Sequence, residues 1–349
     1  MLDGKKWIYA DHTVLNKHLI FFANNEGYKI NLDSLETSYI CKIKNIEYVK
    51  KRGVSRLIKL NDVIFIVSWN PLAIACYDIK TNEIKQIYTT ENGVASFISV
   101  ATWDNHIYLF RKNVDEMIVL NECGMYSVYP FLKGIDKRNM HGCTVGDKTF
   151  FFASGSQIYY KYVLNSGKTS KKNLSFSLEK LQDVAYFNQK FYFLGDNYIK
   201  IWDGKENVIK IDFLYKNQKG PIRGMIIPLK DKMFVLPRKE NDIFSIGYDG
   251  IVSKYVDYPK GYHYTPDEDW LEIGSKYTTY VNEEGIYYFP RRATNYMLAI
   301  DTQKQELMWL KVMEPSVEYE IKNEINRYGK LIEKNKYLTN YINYIKKIN

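Results

Sequence analysis

Seven times along this chain an aromatic-rich apolar run is followed, about fourteen residues later, by an apolar residue and then Asp or Asn. The runs begin at Leu19, Ile64, Ile107, Thr149, Phe191, Met233 and Ile286. Their turn pairs are Leu32-Asp33, Tyr77-Asp78, Leu120-Asn121, Leu164-Asn165, Trp202-Asp203, Tyr248-Asp249 and Ile300-Asp301. Successive copies lie 42 to 45 residues apart, with one step of 53 before the last. A unit of this size cannot bury its own apolar face and must stack on neighbours. Seven such units use about 300 residues, so one closed repeat domain accounts for most of the chain.

The third unit shows the internal grammar. Ser96 to Phe110 is broken at Asp104-Asn105, and Met117-Ile118-Val119-Leu120 and Met125 to Tyr129 follow. Short β-branched and aromatic runs separated by such turns read as four antiparallel strands. Asn61-Asp62, Gly146-Asp147, Asn188-Gln189, Lys230-Asp231 and Glu283-Glu284-Gly285 hold the corresponding first turn elsewhere. These residues tolerate the left-handed backbone that tight hairpins need. The Asp or Asn of the second turn caps its own hairpin by accepting backbone N–H bonds. Four-stranded sheets repeated at this period predict an all-β, seven-bladed β-propeller. Its domain spans 1–314, with blades near 7–43, 56–89, 97–130, 141–174, 181–212, 222–257 and 277–312. Trp7 to Val14 supplies the first inner strand and Glu306 to Val312 the last outer one, which predicts ring closure by packing with no strand lent between blades.

Composition narrows the function classes. Hydrophobic residues make up 46% of the chain and Tyr alone numbers 31, ample for a core. The net charge of +9 comes from 49 basic against 40 acidic residues, a modest preference for anionic partners. No concentrated basic stripe suggests a specific nucleic-acid site. No run approaches a secretory signal or a membrane span, which places the protein in the cytoplasm. Cys41, Cys76, Cys123 and Cys143 are scattered singly, which fits buried free thiols rather than zinc or disulfides. His12, His18, His106, His141 and His263 fall in separate stretches, so neither a metal nor another cofactor is expected. The weight of Lys, Asn, Ile and Tyr is that of AT-rich codons and suggests a low-GC bacterium.

In period and strand grammar the chain resembles the kelch and WD-repeat propellers and the broader bacterial kelch-like group over residues 7–312. Ile107-Tyr108-Leu109-Phe110, Ile286-Tyr287-Tyr288-Phe289 and the turn Tyr77-Asp78-Ile79-Lys80-Thr81 carry that likeness. The kelch Gly-Gly pair is replaced by Phe22-Ala23-Asn24, Phe110-Arg111-Lys112 or Pro237-Arg238-Lys239, and the WD-repeat Gly-His is missing. The resemblance therefore implies the fold and leaves the partner open. Sialidase, five-bladed glycosidase, nucleophile-elbow, Walker and His-Glu-x-x-His motifs are all absent from the sequence.

Three sets of residues are candidate ligand sites. Directly after the second strand come Arg111-Lys112, Arg238-Lys239 and Arg291-Arg292. Propeller loops of this class converge on one mouth, where Arg forks suit carboxylate, phosphate or sulfate groups. The extra length between the sixth and seventh units contains Tyr262, His263, Tyr264 and Trp270 among acidic residues, and Trp69 could join it. Such rings suit sugar or peptide recognition, or simply bury one another. Eight positions before each run lie Asp11, Arg56, Ser99, His141, Asp183 and Thr278, with Arg223 slightly displaced; these should line the channel. His141 with Asp183 is the one pair nominated for acid–base work.

From 315 to 349 strand alternation stops, and Val317, Ile321, Ile325, Tyr328 and Ile332 recur at helical spacing. An amphipathic α-helical tail is predicted, docking on the propeller, on a partner or on a second copy. The leading reading is a non-catalytic binding scaffold that engages a protein, peptide or carbohydrate-containing ligand, neutral or anionic, at the channel mouth. The alternative is a lyase or hydrolase acting on an anionic or glycosidic substrate, with His141 or His263 as base; some propeller lyases resemble this plan in pairing a mouth His with a divalent metal. A third is a purely structural role through the tail.

Overall fold

The computed structural model describes residues 12–23, 26–42, 54–68, 72–81, 83–89, 96–212, 224–237, 243–255, 257–259, 281–283, 285–290 and 296–313. The predicted tail, 315–349, lies outside them. Blade 1 comprises β1 (His12–Leu15), β2 (His18–Ala23), β3 (Glu26–Asn31) and β4 (Thr37–Lys42). Blade 2 comprises β5 (Val54–Leu60), β6 (Val63–Ser68), β7 (Ala73–Asp78) and β8 (Glu83–Thr89). Blade 3 holds β9 (Phe97–Trp103), β10 (His106–Arg111), β11 (Glu116–Asn121) and β12 (Tyr126–Pro130). Blade 4 holds β13 (Met140–Val145), β14 (Lys148–Ala153), β15 (Ile158–Val163) and β16 (Lys168–Asn173). In blade 5 are β17 (Asp183–Phe187), β18 (Lys190–Leu194), β19 (Tyr198–Trp202) and β20 (Val208–Asp212). In blade 6 are β21 (Gly224–Pro228), β22 (Lys232–Pro237), β23 (Phe244–Gly247) and β24 (Val252–Lys254). Blade 7 closes with β25 (Val281–Glu283), β26 (Ile286–Pro290), β27 (Tyr296–Asp301) and β28 (Glu306–Lys311). Every sheet is four consecutive antiparallel strands, so the fold is an all-β, seven-bladed propeller.

Period-2 alternation on the second strands assembles this ring. On β6, Ile64 and Ile66 enter a core with Leu15, Ile20 and Phe22 of blade 1, while Phe65 and Val67 enter another with Ile107, Leu109 and Ile118 of blade 3. On β22, Met233 and Val235 pack against Ile199 and Ile201 of blade 5, and Phe234 and Leu236 against Phe289 and Leu298 of blade 7. Seven such cores join the seven successive pairs of blades, including blade 7 to blade 1 through Leu19, Phe21, Tyr288 and Met297. Each sheet thereby buries both faces, at roughly 1.5–3 kcal/mol for every large apolar side chain removed from water.

Closure is completed at the perimeter. Beyond β28, Met313 N–H donates to the Leu35 carbonyl at 2.8 Å, and Thr37 Oγ1 donates to the Met313 carbonyl at 2.6 Å. Glu36 and Met313 form a parallel bridge there. All four strands of the last sheet come from the last repeat, and packing with these bonds holds the ring.

The turns follow their residues. Asn16 and Lys17, Asp104 and Asn105, and Asn188 and Gln189 all have positive φ, the left-handed pairs that tight hairpins demand. At the second turn Asp78, Asn121, Asp203, Asp249 and Asp301 accept backbone N–H bonds from residues two to four positions on. Blade 1 departs from the expected Asp33. The β2–β3 register sets His18 opposite Asn31, and Asn31 Oδ1 accepts from Asp33 and Ser34 N–H at 2.8 and 3.0 Å.

Candidate functional site

The first strand of each blade stands innermost, and neighbouring inner strands pack around the channel. Arg56, Ser99, His141 and Asp183 pair with Val67, Phe110, Phe152 and Leu194 and so occupy one register position in four blades. Asp11, Arg223 and Thr278 lie outside the described residues. Asp183 Oδ2 accepts the Ile226 N–H of blade 6 at 2.9 Å, fastening β17 to β21. Ser99 lies against Gly142 of blade 4, where an added Cβ would come within 2.9 Å of the Ser99 Cβ. His141 is half-buried on β13, whose neighbour in the ring is β17. His12 carries no spacing signal that marks it as a site residue, yet it is buried between the last and first blades, with Nε2 3.0 Å from the Tyr288 carbonyl.

One rim of the ring carries the turns between second and third strands and the loops between blades. Arg111 belongs to it, yet its guanidinium is buried and bonded to Glu116 at 2.5 Å, where the β9–β10 register shifts. Its charge is neutralised within the hairpin. Lys112 is half-exposed, its N–H donating to the Ser96 carbonyl at 2.8 Å. Arg238, Lys239, Arg291, Arg292, Trp69, Tyr262, His263, Tyr264 and Trp270 lie outside the described residues.

Part-buried polar bonds lock this rim from blade 3 to blade 5. Lys137, in the loop from blade 3 to blade 4, donates to the Asp115 carboxylate and to the Leu132 and Ile135 carbonyls, the last two at 3.2 Å. Asp115 also accepts Gly134 N–H at 2.7 Å. Lys137 is the bond that holds its carboxyl below the usual range, with Gly134 second. In blade 4, Ser154 Oγ accepts Leu181 N–H at 3.1 Å. Lys200 donates to the Ser177 carbonyl at 2.7 Å with its ammonium over the Phe176 and Tyr198 rings, and Tyr198 donates to the Glu179 carbonyl at 2.5 Å. Burial lowers the Lys200 pKa. Sequence spacing gave no sign of these contacts, because each joins a blade to the loop that enters or leaves it.

The opposite rim is tied differently. The first turn of one blade bonds the second turn of the next: Asn61 to Glu122, and Asp231 to Gln305 with the Asp231 N–H at 2.8 Å. Between blades 1 and 2 this place holds an open cleft of about 440 Å³ lined by Asn16, His18, Lys29, Tyr39, Tyr77 and Ile79. His18 Nδ1 stands 2.8 Å from the Asn16 carbonyl, so that nitrogen carries the proton in the neutral ring and Nε2 is an acceptor.

Among the described residues with large shifts caused by burial, each pKa moves away from neutrality. Burial brings His12 down to about 3 against the opposing carbonyl bond, and pushes Cys41, Tyr77 and Tyr198 up to about 12. It also raises Cys143, with the Asp183 charge adding to it, and Tyr248. A general acid or base is tuned the other way, toward its working pH. Among the described residues no three His, Cys, Asp or Glu side chains group as a metal would require, and no helix is long and apolar enough to cross a membrane.

Comparison with solved structures shows the same architecture. A streptogramin B lyase superposes with a TM-score of 0.58 at 13% identity, over 84% of this chain and 93% of the other. A virginiamycin B lyase from Staphylococcus aureus gives 0.57 at 14% identity, over 81% and 91%. A chain of the mitotic checkpoint complex gives 0.53 at 11% identity, over 90% and 91%. At these identities the likeness shows the propeller fold alone. No protein-family profile matches the chain, and no curated protein does either.

Proposed function

We propose that this chain is a binding scaffold, recognising an anionic protein segment, peptide or sugar-containing ligand on the rim formed by its second-to-third-strand turns and interblade loops. The interlocking of that rim by Lys137, Lys200, Tyr198 and Ser154 carries the reading. Loops already fixed by these bonds present a preformed surface, so little ordering opposes binding. The net charge of +9 favours acidic ligands. The proposal extends to a kelch-like bacterial affiliation, a cytoplasmic location and residues of the basic pairs as contacts.

The test uses a fluorescein-labelled oligoglutamate peptide and fluorescence anisotropy. Arg111 is unsuitable for charge reversal because it is buried, so the variant combines Lys112→Glu, Arg238→Glu and Arg291→Glu. Binding that weakens with salt and falls at least about tenfold in this variant supports the rim. Equal affinity in both proteins rejects it.

A lyase or hydrolase reading draws on His141 and Asp183 standing at one register on neighbouring inner strands. Turnover of an anionic glycoside or uronate polymer that disappears in His141→Ala, with folding intact, would replace the scaffold reading.

A further inference from the structure

Among the described residues the outermost strands present open sheet edges, and natural edges are protected by charge. Six obey this rule: β4 has Lys42, β8 Glu83 and Lys85, β16 Lys168, Lys171 and Lys172, β20 Lys210 and Asp212, β24 Lys254, and β28 Glu306 and Lys311. The seventh, β12, reads Tyr126-Ser127-Val128-Tyr129-Pro130 and has no charge at all. Its side chains are nevertheless out in solvent: Met125 is 66% exposed, Tyr126 46%, Val128 42% and Tyr129 49%. Tyr88 of blade 2 meets Tyr126 edge to face at 4.8 Å and extends the apolar surface.

The ladder fixes which backbone groups point outward. Asn121 N–H donates to the Met125 carbonyl and Phe131 N–H to the Asp115 carbonyl, both at 3.0 Å, so alternate β12 residues starting from Met125 face β11. Tyr126 and Val128 therefore turn their N–H and C=O groups away from the sheet. Pro130, next in that series, has no N–H to offer, which limits the open edge to these two residues.

We propose that β12 is the self-association edge of this protein, pairing antiparallel with β12 of a second copy about a two-fold axis at Ser127. In that register Tyr126 of each copy exchanges both backbone bonds with Val128 of the other, giving four inter-chain hydrogen bonds. Centring on Val128 would oppose Tyr126 to Pro130 and lose a donor. With the axis at Ser127, Met125 faces Tyr129 across the strands, Tyr126 faces Val128, and Ser127 faces its own copy. Every cross-strand pair is then uncharged, and the aromatic and aliphatic pairs contribute favourably. Charge does not oppose a second copy at this edge. On a chain of net charge +9, antiparallel self-pairing of β16 would crowd lysines together, whereas β12 brings no charge to the contact. One strand pair is small beside the ~1,600 Å² of a standard interface, so the dimer is weak and concentration-dependent.

Sedimentation equilibrium of the full chain, from micromolar to sub-millimolar concentration, tests this. The wild type should show a reversible monomer–dimer equilibrium. Ser127→Lys places like charges face to face on the axis and should abolish it; equal mixing with Ser127→Glu should restore a dimer as a mixed pair. Val128→Pro removes an outward N–H without touching the β11 ladder and should also leave monomer. Three results would overturn the proposal: a wild type that stays monomeric, a dimer unmoved by Ser127→Lys, or a dimer lost only on deleting residues 315–349.

Discussion

His12 Nε2 lies 3.0 Å from the carbonyl oxygen of Tyr288, 276 residues away, and so joins the first inner strand to the second strand of the last blade. A carbonyl can only accept, so the neutral ring donates through Nε2. Burial brings this His down to about 3, the carbonyl bond opposing that shift. The folded pKa is below the unfolded one, so protons favour the unfolded chain. Stability from this residue is complete above about pH 6.5 and is lost as pH falls toward 3. The expected slope is about 1.4 kcal/mol per pH unit in that window. Urea unfolding of the wild type and of His12→Gln between pH 5 and 6.5, above the range where carboxylates titrate, checks it. The wild type should lose about 2 kcal/mol more than the variant from pH 6.5 to 5. Parallel curves would place the His12 ring in water.

Lys137 is buried with its ammonium bonded to Asp115 and two carbonyls, all within one interblade loop and the hairpin beside it. Lys137→Met keeps the apolar stem and removes the donors. A loss of about 2–3 kcal/mol follows from leaving those acceptors without their partner. Limited proteolysis should then cut first between 131 and 139. An unchanged urea midpoint with the same cleavage pattern would show that the loop does not depend on this ammonium.

Gln189 sits at φ 60° in the blade 5 hairpin, after Asn188 at φ 47°. A Cβ in the left-handed region costs about 1–2 kcal/mol, and glycine avoids it. Gln189→Gly creates the Asn-Gly pair that such turns favour, partly offset by the greater freedom of glycine in the unfolded chain. A gain of about 0.5–1 kcal/mol is expected, read as a higher melting temperature. A drop would mean that the Gln189 side chain holds the turn by contacts of its own.

The ring was legible in the sequence because its cause is local and repeated. Ile64 and Phe65 alternate between two interfaces, and Phe191 and Tyr192 do the same three blades later, in blade 5. The second-turn acceptors were legible for a similar reason, since Asp78 or Asp301 bonds only its own hairpin. Register is not local. Asn31 replaces Asp33 as the blade 1 acceptor because of how β3 lies on β2, which no single segment states. Burial of a charge is equally hidden: Arg111 reads like Lys112, yet one pairs with Glu116 inside the hairpin and the other stays half-exposed. The cleft between blades 1 and 2 was invisible because its lining joins Asn16 and His18 of one repeat to Tyr77 and Ile79 of the next, which no single repeat brings together.

Close approach of neighbouring inner strands gives the last prediction. At Gly142 an added Cβ would stand 2.9 Å from the Ser99 Cβ, 3.0 Å from Phe151 Cδ1 and 3.2 Å from the Phe150 carbonyl oxygen. The Ser99 and Phe151 atoms belong to the packing of blade 3 on blade 4, so Gly142→Ala must push β9 and β13 apart or shift the ring. Overpacking of this kind costs about 1–3 kcal/mol. Ser99→Gly removes one of the opposing atoms and should alone cost about 0.5–1 kcal/mol, as glycine does inside a strand. Combined with Gly142→Ala it should restore about half the loss, while the Phe151 clash persists. A double-mutant cycle by urea denaturation measures the coupling directly. Strict additivity would mean that blades 3 and 4 do not touch through this pair, and the inner-strand contact would need another source.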